Sequence, residues 1–399
     1  MIPHQRPTVT LLVGTRPEAI KIAPIVHEMR RDGRLNPILV STSQQAHLID
    51  DTLAAFGLSP DMTIPLVRDS GSITELTARL LPHLEDVFAD LQPQATIVQG
   101  DTATAMIGGL AAFWRHIPVV HVEAGLRSGR LDAPFPEEAN RKIISQVCSL
   151  HLPPTEMARR NLQREGIDGE NVIVTGNTSV DAILDMASMR QPYDVPELAA
   201  IEESGRRIVL VTCHRREIWG EPMRRLLNGI RGLVEKHPDI QLVVPAHPNP
   251  AVRADVHAAL DGSDRILVCE PLSYPSLARL LSRASLVLSD SGGIQEEAPS
   301  FGVPVLVMRE VTERMEAVQA GCARLVGVDP DVVVQAAQRA LTGTSIHHTT
   351  RNPFGDGFAA RRTVDAVAWH LGLGERPLPF SPERSIFHPL GSRPEQVVA

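Results

Sequence analysis

Cysteine is scarce in this chain of 399 residues: only Cys148, Cys213, Cys269 and Cys322 are present. None forms a Cys-x-x-Cys pair or falls at zinc-ligand spacing, so neither a disulfide framework nor a structural zinc is implied. Long apolar runs are missing as well, and none approaches the ~20 residues that a membrane helix requires. The first apolar run, Val9 to Val13, is too short for a signal-peptide core and has no cleavage site after it. The expected compartment is therefore the cytoplasm. There is no excess of positive charge, since 39 Lys and Arg face 47 Asp and Glu, for a net charge of −8. That balance argues against a nucleic-acid or anionic-membrane surface. A local basic pocket for a small anion is still compatible with it. Internal repeats and low-complexity tracts are also lacking.

What is present reads as an ordinary globular protein, 43% hydrophobic and 22% charged. At ~100–200 residues per domain the length suggests two or three domains. Short β-branched runs alternate with longer helical patterns. TVTLLV (8–13), PILVS, ATIVQ, PVVHVE and NVIVTG form a first series, each bounded by turn residues. A polar stretch, PYDVPELAAIEESGRR, precedes a second: RIVLVTC (207–213), IQLVVPA (240–246), RILVC (265–269), SLVLSD (285–290) and VPVLVM (303–308). Continuous apolar runs suit parallel strands covered on both faces, and strand–helix alternation suits a doubly wound sheet. The expected fold is α/β with two Rossmann-like domains facing a central cleft. The first domain spans 1–177 and the second 178–365, with the boundary near Gly176–Asp181. A last amphipathic helix lies within 355–373, of which about 366–374 is assigned to the first domain, and a proline-rich tail over 375–399 is expected to be loose.

In open α/β sheets, ligands bind beyond the carboxyl ends of the strands. Six clusters fall there. Gly14-Thr15-Arg16-Pro17-Glu18 follows the first strand; Arg16 and the helix start could both meet an anion, with Lys21 one turn on. A capped turn with a surface Arg fits the same pattern equally well. Gly100-Asp101-Thr102 follows ATIVQ, where capping alone would account for the Asp. His121 to Arg127 ends the PVVHVE strand; period two puts His121 and Glu123 on one face, and a Glu123–Arg127 pair is the structural alternative. Pro136 to Arg141 opens a helix, with a Glu137–Arg141 pair as the alternative. Cys213-His214-Arg215-Arg216-Glu217 suits phosphate binding or a solvated charge run. Ser289 to Glu297 contains Ser291, Gly292 and Gly293, a turn whose backbone N–H groups could approach a phosphate, and Glu297 could reach ribose hydroxyls. This turn matches neither GxGxxG nor a Walker loop, so neither a dinucleotide nor ATP is suggested. His247 ends a neighbouring strand and joins the substrate-binding candidates, a structural role being its alternative.

Together the stretches GTRPEAIKIAPIV, GDT, IPVVHVEAGLRSG, FPEEANR, TGNT, HRRE, SDSGGIQEEAPSFGVPVLVMRE and NPFGDG resemble the non-hydrolysing UDP-N-acetylglucosamine 2-epimerases. They run from residue 14 to about 357. The resemblance implies a glycosyltransferase-B-like fold whose last helix crosses back to the first domain. It implies interconversion of UDP-GlcNAc and UDP-ManNAc through elimination of UDP to a 2-acetamidoglucal and its re-addition. Asp101, Glu123 and Glu137 match the family's acid/base carboxylates, without individual roles. Arg16 and His214 match positions that stabilise the diphosphate. Ser291, Gly292 and Gly293 match the diphosphate turn and Glu297 the ribose contact, while Lys21 and Arg141 are further site members. Neither a metal nor a cofactor is implied, since the cations are side chains. The partners implied are a UDP-sugar and a second copy of the chain.

Some segments depart from the family. Where many members read close to QHREML at an allosteric substrate site, this chain has Gln44-Gln45-Ala46-His47-Leu48-Ile49, a degenerate version keeping Gln44 and replacing the next two residues by Gln45 and Ala46. HRRE is followed by Ile218, and TTERPE becomes Val311 to Glu316 without its proline. These changes spare the proposed chemical residues. Other readings are a hydrolysing epimerase releasing ManNAc and UDP, a variant for another nucleotide sugar, a glycosyltransferase, or a nucleotide-sugar-binding regulator. Acid/base carboxylates argue against the last, because a binder needs none.

Overall fold

The computed structural model describes residues 6–42, 44, 46–213, 215, 218–343 and 351–384. It contains two compact units. The first comprises the chain up to Ala182 together with Phe354–Arg384, and the second is Ile183–Pro353.

The first unit is built on β1 (Thr8–Val13), β2 (Asn36–Ser41), β3 (Met62–Thr63), β4 (Ala95–Gln99), β5 (Val119–Val122) and β6 (Leu150–Leu152). All are parallel, in the order β3-β2-β1-β4-β5-β6. The strands are apolar on both faces because helices cover both, as the almost fully buried β1 and β4 show. One helical layer contributes Leu80, Leu84, Phe88 and Ile107 to a core with Leu12, Val40 and Val98. Each such side chain contributes roughly 1.5–3 kcal/mol by leaving water.

The second unit repeats this arrangement with β7 (Arg207–Thr212), β8 (Ile240–Pro245), β9 (Ile266–Cys269), β10 (Ala284–Ser289), β11 (Val305–Val307) and β12 (Ala323–Leu325). Its order is β12-β11-β10-β7-β8-β9, which read from the other edge is the same winding. In each sheet the order reverses between the first and fourth strands. Those switch points, β1/β4 and β7/β10, are where loops diverge and leave room for a ligand.

The α/β, twice Rossmann-like reading holds, and the C-terminal helix does return to the first unit. It runs over Ala359–His370, starting earlier than 366, and its Asp365 takes a 2.5 Å bond from Arg34. The unit change falls after Ala182. Three strands went unread, β3, β6 and β12, because runs of two or three residues carry no periodicity. NVIVTG, expected as a strand, forms no strand of its own but runs beside β6, with a bridge of Val172 to His151 and a bond from Thr175 N to Pro153 O at 3.0 Å. The tail needs a further correction. Over 375–384 it is docked: Phe380 is buried and its N–H bonds Val174 O at 2.8 Å, while Arg376 donates to Glu170 O. Residues 385–399 lie outside the described residues. Among the described residues no helix is long and apolar enough to cross a membrane.

Candidate active site

The β1 loop and the β4 loop flank the switch point of the first unit. Thr15 is the N-cap of the helix Arg16–Asp32, and Pro17 sits in its first turn, where a missing N–H costs nothing. Glu18 turns back into the protein and is fully buried. Its Oε2 accepts from Gly14 N and Thr15 Oγ1, both at 2.9 Å, and its Oε1 accepts from Thr102 Oγ1 at 2.6 Å. Burial outweighs these donors and raises its pKa from 4.5 to about 7. Gly14 is required by space, since a Cβ there would lie 2.1 Å from Thr104 Oγ1 and 2.7 Å from Thr42 Oγ1. Thr104 Oγ1 in turn donates to Gln44 at 3.0 Å. Gln45 lies outside the described residues.

Glu123 stands one residue past β5 with φ 64, a left-handed backbone that costs a non-glycine residue ~1–2 kcal/mol. Two bonds hold it there, from Glu123 N and Ala124 N to Leu152 O at 3.1 and 3.3 Å. The alternation expected to pair His121 with Glu123 therefore stops at Val122. Lys21 Nζ lies 2.7 Å from both carboxylate oxygens of Glu123, with Gln99 Nε2 and Asn177 Nδ2 donating as well. The alternative partner, Arg127, is engaged elsewhere, with Glu165 at 2.7 Å and Ser145 at 2.9 Å.

Asp101 is not the cap of its helix. Thr102 is, accepting from Ala105 N at 3.0 Å. Asp101 instead receives Arg141 Nε at 2.9 Å and Nη2 at 2.6 Å. Arg141 reaches it from the helix Glu137–Val147, and Nη1 of the same side chain pairs with fully buried Glu138 at 3.0 Å. Glu138, rather than Glu137, is thus the local partner of Arg141. Its pKa is lowered because Ser128 N, Arg141 and Gly129 N outweigh the opposing cost of burial. Glu137 Oε2 is buried and has no hydrogen-bond partner among the described residues. A buried carboxylate oxygen without a donor is costly unless a ligand supplies one. His121 donates from Nε2 to Gly100 O at 2.8 Å, and burial depresses its pKa to about 3, so it is a neutral structural support.

In the second unit the β7 and β10 loops are tied together. Asp290 Oδ2 accepts from Arg215 N at 2.8 Å, and Thr212 and Ser289 bond hydroxyl to hydroxyl at 2.7 Å. His214 lies outside the described residues. Ser291 starts the short helix Gly292–Glu297 without capping it through its side chain, and a Cβ on Gly293 would meet little but Ser291 Oγ at 3.9 Å. Glu297 is buried against Tyr274, whose hydroxyl donates to it at 3.2 Å. His247 packs edge-on to Trp219 with ring centroids 5.3 Å apart, and its Nδ1 accepts from Asn249 N at 3.0 Å.

The structure thus brings Lys21 to Glu123 and Arg141 to Asp101 on the first unit, and it sets Ser291 to Glu297 at a switch point of the second. Sequence reasoning missed Gln99, Asn177, Glu138 and Glu18 as parts of this arrangement. Gln99 carried a signal, being the one polar residue closing an apolar strand. Asn177 carried none beyond polarity, because its partner is 54 residues away, whereas Glu138 stands three residues before Arg141 on one helix, a spacing that could have paired them.

Two doubly wound parallel sheets with polar clusters at their switch points define an α/β protein of the glycosyltransferase-B-like kind. A rhamnosyltransferase complexed with thymidine diphosphate, 14% identical with a TM-score of 0.55 and covering 91% of this chain and 96% of that one, shares the fold alone. A family model described as UDP-N-acetylglucosamine 2-epimerase matches residues 27–368. The UDP-N-acetylglucosamine 2-epimerase of Bacillus subtilis (strain 168) is 40% identical over 367 residues, 91% of this chain and 96% of that protein. A co-structure of S. aureus MnaA with UDP is similar at 37% identity and a TM-score of 0.83, covering 94% of this chain and 100% of that one. The UDP-GlcNAc 2-epimerase from Neisseria meningitidis, solved bound to UDP-GlcNAc, is similar at 35% identity and a TM-score of 0.79, covering 91% and 100%. The chain belongs to the UDP-N-acetylglucosamine 2-epimerase family.

Proposed function

We propose that this chain interconverts UDP-N-acetylglucosamine and UDP-N-acetylmannosamine without hydrolysis. The hydrogen at C2 is not acidic, so its removal must be coupled to departure of UDP from C1. A base takes the C2 proton, the C1–oxygen bond breaks, and a C1=C2 double bond forms in an enzyme-held 2-acetamidoglucal. UDP then adds back to C1 while a proton is delivered to the opposite face of C2. Such chemistry needs carboxylates able to trade a proton, cations for the diphosphate and exclusion of water.

The observation that carries the reading is Glu123. It is held in a strained backbone conformation at a strand's carboxyl end, with Lys21, Gln99 and Asn177 all directed at its carboxylate. Structural strain of this kind concentrates at functional sites. Glu137, with one buried oxygen lacking a donor among the described residues, and Asp101, clamped by Arg141, supply the remaining carboxylates. We assign the diphosphate to Arg16, His214, Ser291, Gly292 and Gly293, the ribose to Glu297, and further substrate contacts to Lys21 and Arg141. His247, already bonded to its own loop, is assigned the support of that loop.

Proton NMR of the enzyme with UDP-GlcNAc in deuterated water tests the proposal. A growing UDP-ManNAc anomeric signal, with deuterium entering C2 of both sugars, is the expected result. Release of free ManNAc and UDP would replace it with the hydrolysing reaction. An unchanged spectrum would redirect the search to other nucleotide sugars.

A further inference from the structure

Glu18 has no place in the acid/base scheme, yet it is fully buried and saturated with donors. Its local explanation is a capping box, in which the third helical residue reaches back to the residues before the helix. Only half of that motif is present, because Thr15 makes no side-chain cap bond and donates its hydroxyl to Glu18 instead. Capping also leaves Oε1 unexplained. That oxygen points away from its own helix and accepts from Thr102, 84 residues on, in the loop that carries Asp101.

That second loop is held residue by residue from three elements. Gly100 O accepts from His121 Nε2 at 2.8 Å, Asp101 O accepts from Asn140 Nδ2 at 2.8 Å, and Thr102 Oγ1 donates to Glu18 at 2.6 Å. His121 and Asn140 bind the loop to its own neighbours, β5 and the following helix. Glu18 alone among these three binds it to the loop carrying Arg16. Thr102 spends the same hydroxyl oxygen on capping its helix through Ala105 N, so its orientation is set from both sides.

We propose that Glu18 is a positioning residue of the reaction, a buried bridge that locks the Arg16 loop to the Asp101 loop across the β1/β4 switch point. This rests on the functional reading given above. Glu18 touches no reacting atom. Its effect is to fix one loop bearing a diphosphate cation against another bearing a carboxylate, and a misplacement of ~1 Å at such a pair costs on the order of 10²-fold in rate.

Four variants test it. In Glu18→Ala the bridge is lost with the cap on Ala105 N left in place, whereas in Thr102→Val the far end of the bridge and that cap are lost together. In Glu18→Gln the bridge survives: the amide oxygen serves Gly14 and Thr15 while the NH2 donates to Thr102 Oγ1, which has a lone pair to spare. Thr102→Ser keeps the hydroxyl. Expected for Glu18→Ala and Thr102→Val is a fall in kcat of about 30–100-fold, with KM and the Kd for UDP within about threefold of native. Glu18→Gln and Thr102→Ser stay within about threefold of native in every constant. Amide hydrogen exchange, which needs no turnover, is measured on the same proteins. Glu18→Ala should raise exchange over residues 100–105 as well as over 13–19. If Glu18→Ala lowers Tm but keeps kcat, or raises exchange over 13–19 alone, Glu18 is a helix cap and the proposal falls. If the native chain turns over no UDP-hexosamine, the functional reading is what fails, and the exchange pattern by itself then decides whether Glu18 couples the loops.

Discussion

The Lys21–Glu123 pair allows a quantitative test of how the first unit holds its carboxylate. The side chains are 16% and 6% exposed, and the ammonium is 2.7 Å from the carboxylate. Removing one member of a buried pair leaves the other charge without compensation, at ~3–5 kcal/mol. In Lys21→Met, Gln99 and Asn177 still donate to Glu123, which brings the cost to about 2–4 kcal/mol. In Glu123→Gln the ammonium can swing towards water, so the cost is about 1–2 kcal/mol. The double variant should cost less than the sum, with a coupling of about 1–3 kcal/mol. Urea denaturation followed by tryptophan fluorescence measures this. Because the chain has two compact units, a Trp219→Phe background is used, so that Trp114 and Trp369 report the first unit alone. Turnover should fall about 10²-fold in each single variant and no further in the double, since the two side chains act as one device. Additive stability costs, within about 0.5 kcal/mol, would show that water replaces the ammonium freely and would refute the reasoning.

Three other outcomes follow from the packing and the titration of buried groups. Gly14→Ala should cost ~1–3 kcal/mol in urea, because its Cβ would fall 2.1 Å from Thr104 Oγ1; a cost near zero would mean the loop moves without resistance. Gly125→Ala should cost at least ~3 kcal/mol and sharply reduce soluble yield, since φ is 86° and the Cβ would lie 2.3 Å from the backbone oxygen of Ala158. Glu18, raised from 4.5 to about 7 by burial, holds a proton in the folded chain that the unfolded chain has released between those values. Stability contributed by this group therefore falls as pH rises from about 4.5 to about 7 and is flat above, a change of up to ~3 kcal/mol. Unfolding free energies of native protein and Glu18→Gln, compared at pH 5 and pH 8, should diverge in favour of the variant at the higher pH. A constant difference would show that Glu18 has an ordinary pKa.

Much of this protein could be read from its sequence, because the relevant physics is local or periodic. Parallel strands buried on both faces must be continuous apolar runs, so TVTLLV, ATIVQ and RIVLVT announced β1, β4 and β7. Ligand sites of such sheets lie at strand ends, so the clusters at Gly14, Gly100, Glu123 and Ser289 could be singled out before any coordinates. The motifs also sufficed to place the chain in its family. What the sequence could not decide was which charge answers which. Spacing suggested Glu123 with Arg127 and Glu137 with Arg141, as helix and loop neighbours usually pair. Tertiary structure chose Lys21 for Glu123, 102 residues away, and Asp101 for Arg141, 40 residues away. It also buried Glu18 under a threonine from another loop. Only after the sheet has ordered β1 beside β4, and β4 beside β5, do these groups come within 3 Å, and no pattern within a single segment records that meeting.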